Sequence, residues 1–386
     1  MRGLRRRQQF GPFAEPRFQA RIDRRLWSQF DWALLGLTGA LCAAGILNLY
    51  SGTYGGIYEN LYYVQLASLG LGVGGLLVAF LVPYRFFEAT SYLLYLGAIA
   101  LLVAVLGAGS VSHGARRWLS LGHFTFQPSE LSKIALAMVL ARYFSANPNY
   151  SGYGPRELIL PALLTLVPVG LILLQPDLGT ALIHVLIFVT VALFMRVKPG
   201  TLWLTALLGV LVAPAGWFFV LKDYQKARIL TLFDPDRDPL GSGYHIRQSI
   251  IAVGSGRWLG KGFLKGTQTK LQFLPEHHTD FIFSVYAEEW GLVGCLVLLA
   301  VYFSLLVKGA AISVASKDRY GSILAAGLTA CLFWHVVINL LMVVGLAPVV
   351  GVTLPFFSYG RTSLISMLLI VGLLMNVSSR RYMFEQ

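Results

Sequence analysis

Long apolar runs alternate with polar connections along most of the chain. A helix that crosses a bilayer needs roughly 20 predominantly apolar residues. Runs near this length occur at 32–50, 64–82, 86–107, 128–146, 157–174, 178–195, 199–221, 281–307, 320–345 and 362–379. The pattern predicts an all-α polytopic membrane protein with about ten transmembrane helices and a large loop between the seventh and the eighth.

The composition supports this class. Hydrophobic residues make up 56% of the 386 residues and charged residues only 13%, whereas soluble domains carry about 25% charged residues. We therefore interpret 29–386 as one integral membrane domain that follows a basic cytoplasmic tail at 1–28. The three cysteines lie within predicted spans and form no CxxC motif, so neither a disulfide nor a metal site is indicated.

Basic residues are distributed unevenly between the two sets of connections. Lys and Arg near span ends are retained on the cytoplasmic side. They are abundant in the tail and in the connections on its side, whereas the short loops on the other side hold only Arg116, Arg117 and Arg361. This asymmetry predicts cytoplasmic termini and an extracytoplasmic loop at 222–280. The net charge of +13 then reflects topology and attraction to anionic lipid, without a nucleic-acid partner.

Two connections on the outer side are long enough to house chemistry. The segment 107–127 mixes glycine, arginine and aromatic residues, and we expect it to lie at the membrane interface. Loops as long as 222–280 are usually functional or disordered. The apolar spacing within 246–253 favours a short packed helix there, and thus a functional loop.

Asp280 lies where the large loop meets the eighth predicted span, and Glu276 and His278 precede it. An ionisable group at the edge of the hydrocarbon is costly to keep, so such residues are functional candidates. Asp280 is therefore the leading catalytic candidate, and the two preceding residues are expected to contact substrate. Further along the same predicted helix, Glu288 and Glu289 need a wet or paired environment.

Two other motifs in this loop are incomplete. Asp234, Asp236 and Asp238 have the alternate spacing of a calcium-binding loop, but the required glycine and glutamate are missing. The glycine-rich stretch 254–262 lacks the first glycine and the final Ser or Thr of a nucleotide-binding phosphate loop. Its glycines could still let the backbone approach a pyrophosphate.

Several polar residues fall within the predicted spans. Glu130 and Lys133 are three residues apart and can pair on one helix face, and Asp177 is placed to cap a helix N-terminus. Two interpretations stay open: a structural role that holds the bundle together, or the lining of a polar cavity. His184 and His335 are interpreted as hydrogen-bonding residues between helices.

A proline-containing segment at 339–363, which includes Ser358, connects the last two predicted spans. Broken backbone at membrane depth is tolerated where it is buried or lines a polar cavity. With this segment, the chain resembles the SEDS family of bacterial membrane glycosyltransferases, which contains RodA, FtsW and SpoVE. The matching strings, in order, are Arg117–Leu119, Phe126–Lys133, Gln175–Thr180, Gln248–Ser249, Gly254–Gly256, Phe273–Phe283, Glu288–Gly291 and Pro355–Gly360, and the stretches Gly266–Pro275 and Phe30–Ser51 look closer to RodA than to FtsW.

The resemblance implies polymerisation of lipid II into glycan strands on the outer face of the cytoplasmic membrane, for cell elongation and rod shape. We expect Asp280 to take the proton of the acceptor's 4-hydroxyl, which attacks the donor's anomeric carbon with inversion. No strong general acid is required, because the lipid pyrophosphate is already a stable anion when it leaves. A divalent cation such as Mg²⁺ or Mn²⁺ could assist, but no ligand cluster requires one.

The expected substrate-binding residues lie in the two outer connections. Cations of the right sign and side to hold the pyrophosphate are Arg116, Arg117, Arg247 and Lys261. Trp118 resembles a family position tied to activity, and is expected to stack on sugar or to pack the loop. One departure from the family pattern is Arg361, which stands where a second glycine usually follows Ser-Tyr-Gly.

Two other functions stay open. Ten spans with charges inside the membrane also permit a transporter that moves the lipid-linked precursor, and a noncatalytic scaffold for a transpeptidase is a third possibility. Formation of polymer from lipid II would exclude both as the sole function. The resemblance also implies a partner, a class B penicillin-binding protein with one span, besides lipid II and membrane lipid.

Overall fold

Helices of 17 to 34 residues form the body of the protein. The computed structural model describes residues 30–56, 58–112, 115–122, 124–238, 241–267 and 278–380. The long helices are α1 (Trp32–Thr53), α2 (Leu61–Leu81), α3 (Tyr84–Ala108), α4 (Pro128–Ala146), α5 (Pro155–Leu174), α6 (Leu178–Phe194), α7 (Pro199–Ala215), α10 (Ile282–Ala315), α11 (Arg319–Val343) and α12 (Arg361–Arg380). Each overlaps one predicted apolar run.

Within these residues, seven of the helices are long and apolar enough to cross a membrane. The other three are α4, which carries buried charges, and the shorter α6 and α7. The multi-span helical class is thus confirmed. The total of ten spans stays a prediction.

The helices α11 and α12 form the interior of the bundle. They are the most buried of the seven spanning candidates. α11 packs against α4, α6 and α10, and α12 packs along α2. Gly372 of α12 lies against the α2 backbone at Leu76, where a side chain would collide. Small residues let helix backbones approach closely in membranes, where packing rather than water exclusion drives association.

Aspartates cap three of the helices. The first N–H groups of a helix have no partner within it, and an Asp side chain that precedes them can accept their hydrogen bonds. Asp31 accepts from the Leu34 N–H at 3.1 Å, Asp177 from Thr180 N–H at 3.2 Å, and Asp318 from Gly321 N–H at 2.7 Å. These caps set where α1, α6 and α11 begin.

A small sheet follows α3 and departs from the all-α expectation. Strands β1 (Ser110–Ser112), β2 (Ala115–Leu121) and β3 (Phe124–Phe126) pair antiparallel in the order β1-β2-β3. The sequence predicts an interfacial segment here but no strands. Pairing satisfies backbone groups that an isolated extended segment would leave without partners near the membrane, and Gly122, at φ +65°, provides the turn between β2 and β3.

The large loop is mostly folded where it is described. It contains α8 (Asp223–Phe233), a short 3₁₀ turn (Pro235–Arg237) and α9 (Ser242–Ser255). The predicted short packed helix is therefore confirmed. α9 packs on α10 and α11, and its Ser249 hydroxyl donates to the Val343 carbonyl at 2.6 Å. Residues 268–277, which include the substrate-contact candidate Glu276, lie outside the described part.

The glycine-rich stretch after α9 packs into a break in α10. Gly291 has φ +64° and ψ −166°, which interrupts that helix. The loop backbone bonds to both sides of the break: Lys261 N–H to Glu288 O at 3.0 Å, and Leu292 N–H to Arg257 O at 2.8 Å. A side chain on Gly260 or Gly291 would collide with the opposing backbone. These glycines therefore let two segments of this chain pack closely against each other. The sequence by itself suggests only a close approach of the backbone to a pyrophosphate.

Candidate active site

Asp280 borders a cavity of about 650 Å³ at one end of the bundle. The segments that enclose it are distant in sequence: the sheet, the start of α6, α8, the turn before α10, and the connection from α11 to α12. The lining residues that can carry charge or bind a sugar are Arg117, Trp118, Glu130, Asp177, Arg228, His278, Asp280, His335 and Arg361. Most of them come from the connections that the sequence predicts to lie on the outer side.

A second cavity of about 380 Å³ adjoins the first. Tyr224, Asp238 and His245 contribute polar groups to it. Asp280 and Arg228 line both cavities. The half-buried carboxylate of Asp280 therefore lies at a boundary between two spaces, where it can reach groups bound in either one.

Arginines line the larger cavity from three directions. Arg117 on β2 donates from Nε to the Gln175 carbonyl at 3.2 Å and from Nη2 to Pro176. Arg228 on α8 donates to the Val349 carbonyl at 3.1 Å. Arg361 begins α12, beside Tyr359. Guanidinium groups suit bidentate binding of phosphate oxygens. The same cavity is also lined by the carboxylates of Glu130, Asp177 and Asp280.

Three of the expected substrate-binding cations are not among the residues that line the described cavities. Arg116 is exposed and contacts the Leu106 carbonyl at 3.4 Å. Arg247 pairs with Asp236. Lys261 donates to the buried Glu288 at 2.6 Å, so its charge is used to hold the loop on α10. Charge sign and loop position alone do not reveal which carboxylate a cation will meet.

Ser358 is also absent from the lining. Its hydroxyl accepts the Leu354 N–H at 2.9 Å and stabilises the turn before α12. His278 does line the larger cavity; its ring lies 4.5 Å from that of Tyr58, centre to centre. Glu289, expected to need a partner, binds the Ser51 hydroxyl at 2.5 Å.

A buried ion pair borders the larger cavity through Glu130. Lys133 is 1% exposed and donates to Glu130 at 2.8 Å. The same ammonium lies 2.8 Å from Nε2 of His335. Because an ammonium only donates, Nε2 must accept, and the His335 proton must be on Nδ1, which faces the Thr353 carbonyl at 3.3 Å. Ser366 donates to the other Glu130 oxygen at 2.8 Å. The pair joins α4, α11 and α12, and Glu130 also lines the cavity.

Asp177 and His184 connect the same region. Asp177 caps α6, lines the cavity and accepts from Gln127 at 3.2 Å. His184 lies 2.8 Å from the Ser132 hydroxyl and 2.8 Å from the Thr180 carbonyl. Both histidines thus link helices, as the sequence predicts.

The sequence interpretation did not single out Arg228 or Tyr224. They are four residues apart on α8, and the guanidinium carbon lies 5.7 Å from the centre of the Tyr224 ring. Burial raises the pKa of Tyr224, and its hydroxyl donates to the Pro176 carbonyl at 3.2 Å. The i, i+4 spacing of an aromatic and a basic residue in the large loop was the available signal.

No cluster of three or more metal-ligating side chains occurs among the residues described. The carboxylate of Asp280 is the one that borders both cavities; three arginines, Glu130 and Asp177 line the larger one, and Asp238, Tyr224 and His245 line the smaller.

The chain is similar to known proteins over most of its length. A family model for the FtsW/RodA/SpoVE family, described as cell cycle protein, matches residues 28–383. The peptidoglycan glycosyltransferase MrdB of Escherichia coli (strain K12) is 43% identical over 329 residues, which cover 83% of this chain and 86% of the relative. The peptidoglycan glycosyltransferase RodA of Treponema pallidum is 31% identical over 430 residues, covering 92% and 98%.

Solved structures share the fold. A chain of a peptidoglycan synthase complex that coordinates polymerization and crosslinking superposes with a TM-score of 0.79 at 36% identity, covering 92% of this chain and 98% of the other. Thermus thermophilus RodA, a rod shape determining protein, gives a TM-score of 0.69 at 33% identity, covering 92% and 99%. This chain therefore belongs to the FtsW/RodA/SpoVE family.

Proposed function

We propose that this protein is a peptidoglycan glycosyltransferase that polymerises lipid II, with Asp280 as the base. It transfers the growing lipid-linked glycan to the 4-hydroxyl of lipid II and releases undecaprenyl pyrophosphate, for cell elongation and rod shape. The observation that carries the proposal is the position of Asp280 between two cavities, one of which is lined by three arginines. The names of its relatives support the activity, since they are peptidoglycan glycosyltransferases.

The reaction needs one proton transfer and one displacement. The acceptor's 4-hydroxyl oxygen forms a bond to the donor's anomeric carbon as its proton moves to Asp280. The bond from that carbon to the pyrophosphate oxygen breaks, and the electron pair leaves with the lipid pyrophosphate. A correctly placed base contributes typically 10²- to 10⁴-fold to such a step. The leaving anion needs electrostatic stabilisation rather than a proton.

The two cavities differ in the number of arginines that line them, three in the larger and one in the smaller. The larger one is suited to the pyrophosphate-linked donor, because Arg117, Arg228 and Arg361 can neutralise its phosphates. The smaller one, with Tyr224 and His245, offers hydrogen-bonding and aromatic groups of the kind that bind sugars, and is suited to the acceptor. In this arrangement Arg228, which lines both cavities, contacts the leaving group close to the base.

The orientation in the membrane is part of the proposal. Both termini lie in the cytoplasm and the two cavities open to the outer face of the cytoplasmic membrane. The uneven distribution of basic residues supports this orientation. Hydrogen bonds that join the sheet, α8 and the segment after α11 support a single site at that face. A class B penicillin-binding protein is the proposed partner, in line with the synthase complex among the structural relatives.

The test is polymerisation of lipid II by purified protein in detergent. Asp280→Asn keeps the size of the side chain but removes the base, and we expect the rate to fall by roughly 10²- to 10⁴-fold. The matched control is Asp236→Asn, in the same loop but outside both cavities and paired with Arg247, which should polymerise like the unmodified protein. Retained polymerisation by folded Asp280→Asn would refute the role of Asp280, and polymer from the unmodified protein excludes a transporter or scaffold as its sole function.

A further inference from the structure

The turn that carries Asp280 is held by three hydrogen bonds from three separate parts of the chain. His278, Asp280 and Ile282 alternate along the turn and the start of α10. The His278 carbonyl accepts from the Tyr359 N–H at 2.9 Å. The Asp280 carbonyl accepts from the side-chain amide of Asn339 at 2.9 Å. The Ile282 carbonyl accepts from the side-chain amide of Asn48 at 3.0 Å.

Both asparagines are placed where such a bond is strong. Asn48 on α1 is 2% exposed and Asn339 on α11 is fully buried, so water does not compete for either bond. Their neighbours also define the orientation of the amides. A carbonyl oxygen can only accept, so Nδ2 must face it in each case.

Asn339 makes a second contact that concerns the cavity itself. The same Nδ2 donates to the Val352 carbonyl at 2.7 Å. Val352 belongs to the segment 349–353, which also lines the larger cavity. One buried amide therefore joins the backbone of Asp280 to the neighbouring segment of the cavity lining.

We infer that Asn48 and Asn339 are positioning residues for the transfer reaction: they hold the main chain of Asp280 so that its carboxylate stays in reach of the acceptor hydroxyl. This inference rests on the proposed role of Asp280. Neither asparagine lines either of the two cavities that Asp280 borders, so the inferred role acts through Asp280 and not through contact with substrate. Their effect is on geometry, and a displacement of about 1 Å at a reacting group can lower a rate roughly 10²-fold.

The structure supplies a matched control in Asn376. It is fully buried on α12 and its amide likewise donates to two main-chain carbonyls, Ala79 at 2.7 Å and Val82. It lies 15 residues beyond Arg361, about 22 Å along the helix. Replacing it by alanine removes the same kind of contact away from Asp280.

The experiment measures kcat and KM for lipid II, together with thermal stability, on purified Asn48→Ala, Asn339→Ala and Asn376→Ala. For the first two we expect kcat to fall by about 10- to 100-fold with KM unchanged. Asn376→Ala should lose stability but keep its kcat. Asn48→Ala removes one hydrogen bond and Asn339→Ala removes two, so Asn48→Ala is the decisive variant if Asn339→Ala does not fold.

Three results would overturn the inference, and the first is full activity of both Asn48→Ala and Asn339→Ala. The other two concern variants whose kinetics do change. One is a loss of kcat that merely follows stability in all three variants, and the other is a raised KM with unchanged kcat. Asp280→Asn in the same assay separates this failure from that of the proposed function. If Asp280→Asn is inactive while Asn48→Ala and Asn339→Ala are fully active, only the positioning inference fails. If Asp280→Asn is active, the proposed base itself is wrong.

Discussion

Removing Lys133 should destabilise the bundle strongly, because it leaves Glu130 buried without its cation. The two groups are 2.8 Å apart, and at an effective dielectric constant near 20 their attraction is about 6 kcal/mol. That attraction offsets the cost of taking both ions out of water, which is several kcal/mol for each ion. In Lys133→Met the desolvation of Glu130 is no longer offset. We expect the free energy of unfolding to fall by about 3–5 kcal/mol, a large share of the roughly 5–15 kcal/mol typical of folded proteins.

The double variant Glu130→Gln with Lys133→Met tests this reasoning, because it removes both charges. Stability is measured by unfolding in detergent with increasing sodium dodecyl sulfate. We expect the double variant to regain most of the stability that Lys133→Met loses. Lys226→Met is the matched control: Lys226 and Asp223 have the same spacing, but the carboxylate is exposed and the atoms are 3.8 Å apart, so stability should not change measurably.

Equal stability of Lys133→Met and the unmodified protein would refute the argument, as would a double variant no more stable than the single one. Polymerisation by the double variant addresses the interpretation that the sequence leaves open. If the pair is structural, its activity should follow its folded fraction.

Two further predictions concern the loop and the arginines. Gly260→Ala should cost about 2–4 kcal/mol of stability in the same unfolding assay, because strain at φ +75° adds to a collision with the Glu289 backbone. Gly55→Ala, at φ +71° in open space, should show the strain alone, and equal losses would argue against the collision. Arg228→Gln should lower the rate of polymerisation by roughly 10²-fold through loss of charge stabilisation, whereas Arg247→Gln should change it less than about twofold because that cation pairs outside the cavities. Similar rates for both variants would contradict the assignment of Arg228.

The helices, and Asp280 as a candidate that borders the cavities, could be predicted from local pattern. A single span-length apolar run can satisfy all its backbone groups within itself in a membrane only as a helix. Each of the ten runs accordingly coincides with a helix to within a few residues, except that α10 extends further and that α7 ends at Ala215, where a π-helix (Gly216–Val220) follows. Asp280 was identifiable because a carboxylate at a span boundary is costly. The sheet at 110–126 was not predicted, since its three short strands are recognisable only when they pair with one another.

The partners of the polar residues depended on packing between distant segments. Lys261 and Arg228 have the same charge and lie in the same loop, yet one pairs with Glu288 against α10 and the other lines both cavities. Asn48 and Asn339 lie in two apolar helices, and their sequence context does not indicate that both amides meet the turn of Asp280. Apolar periodicity specifies that a residue is buried in a helix. Which group it meets there depends on how the helices pack, because hydrogen bonds require particular distances and directions between atoms far apart in the chain.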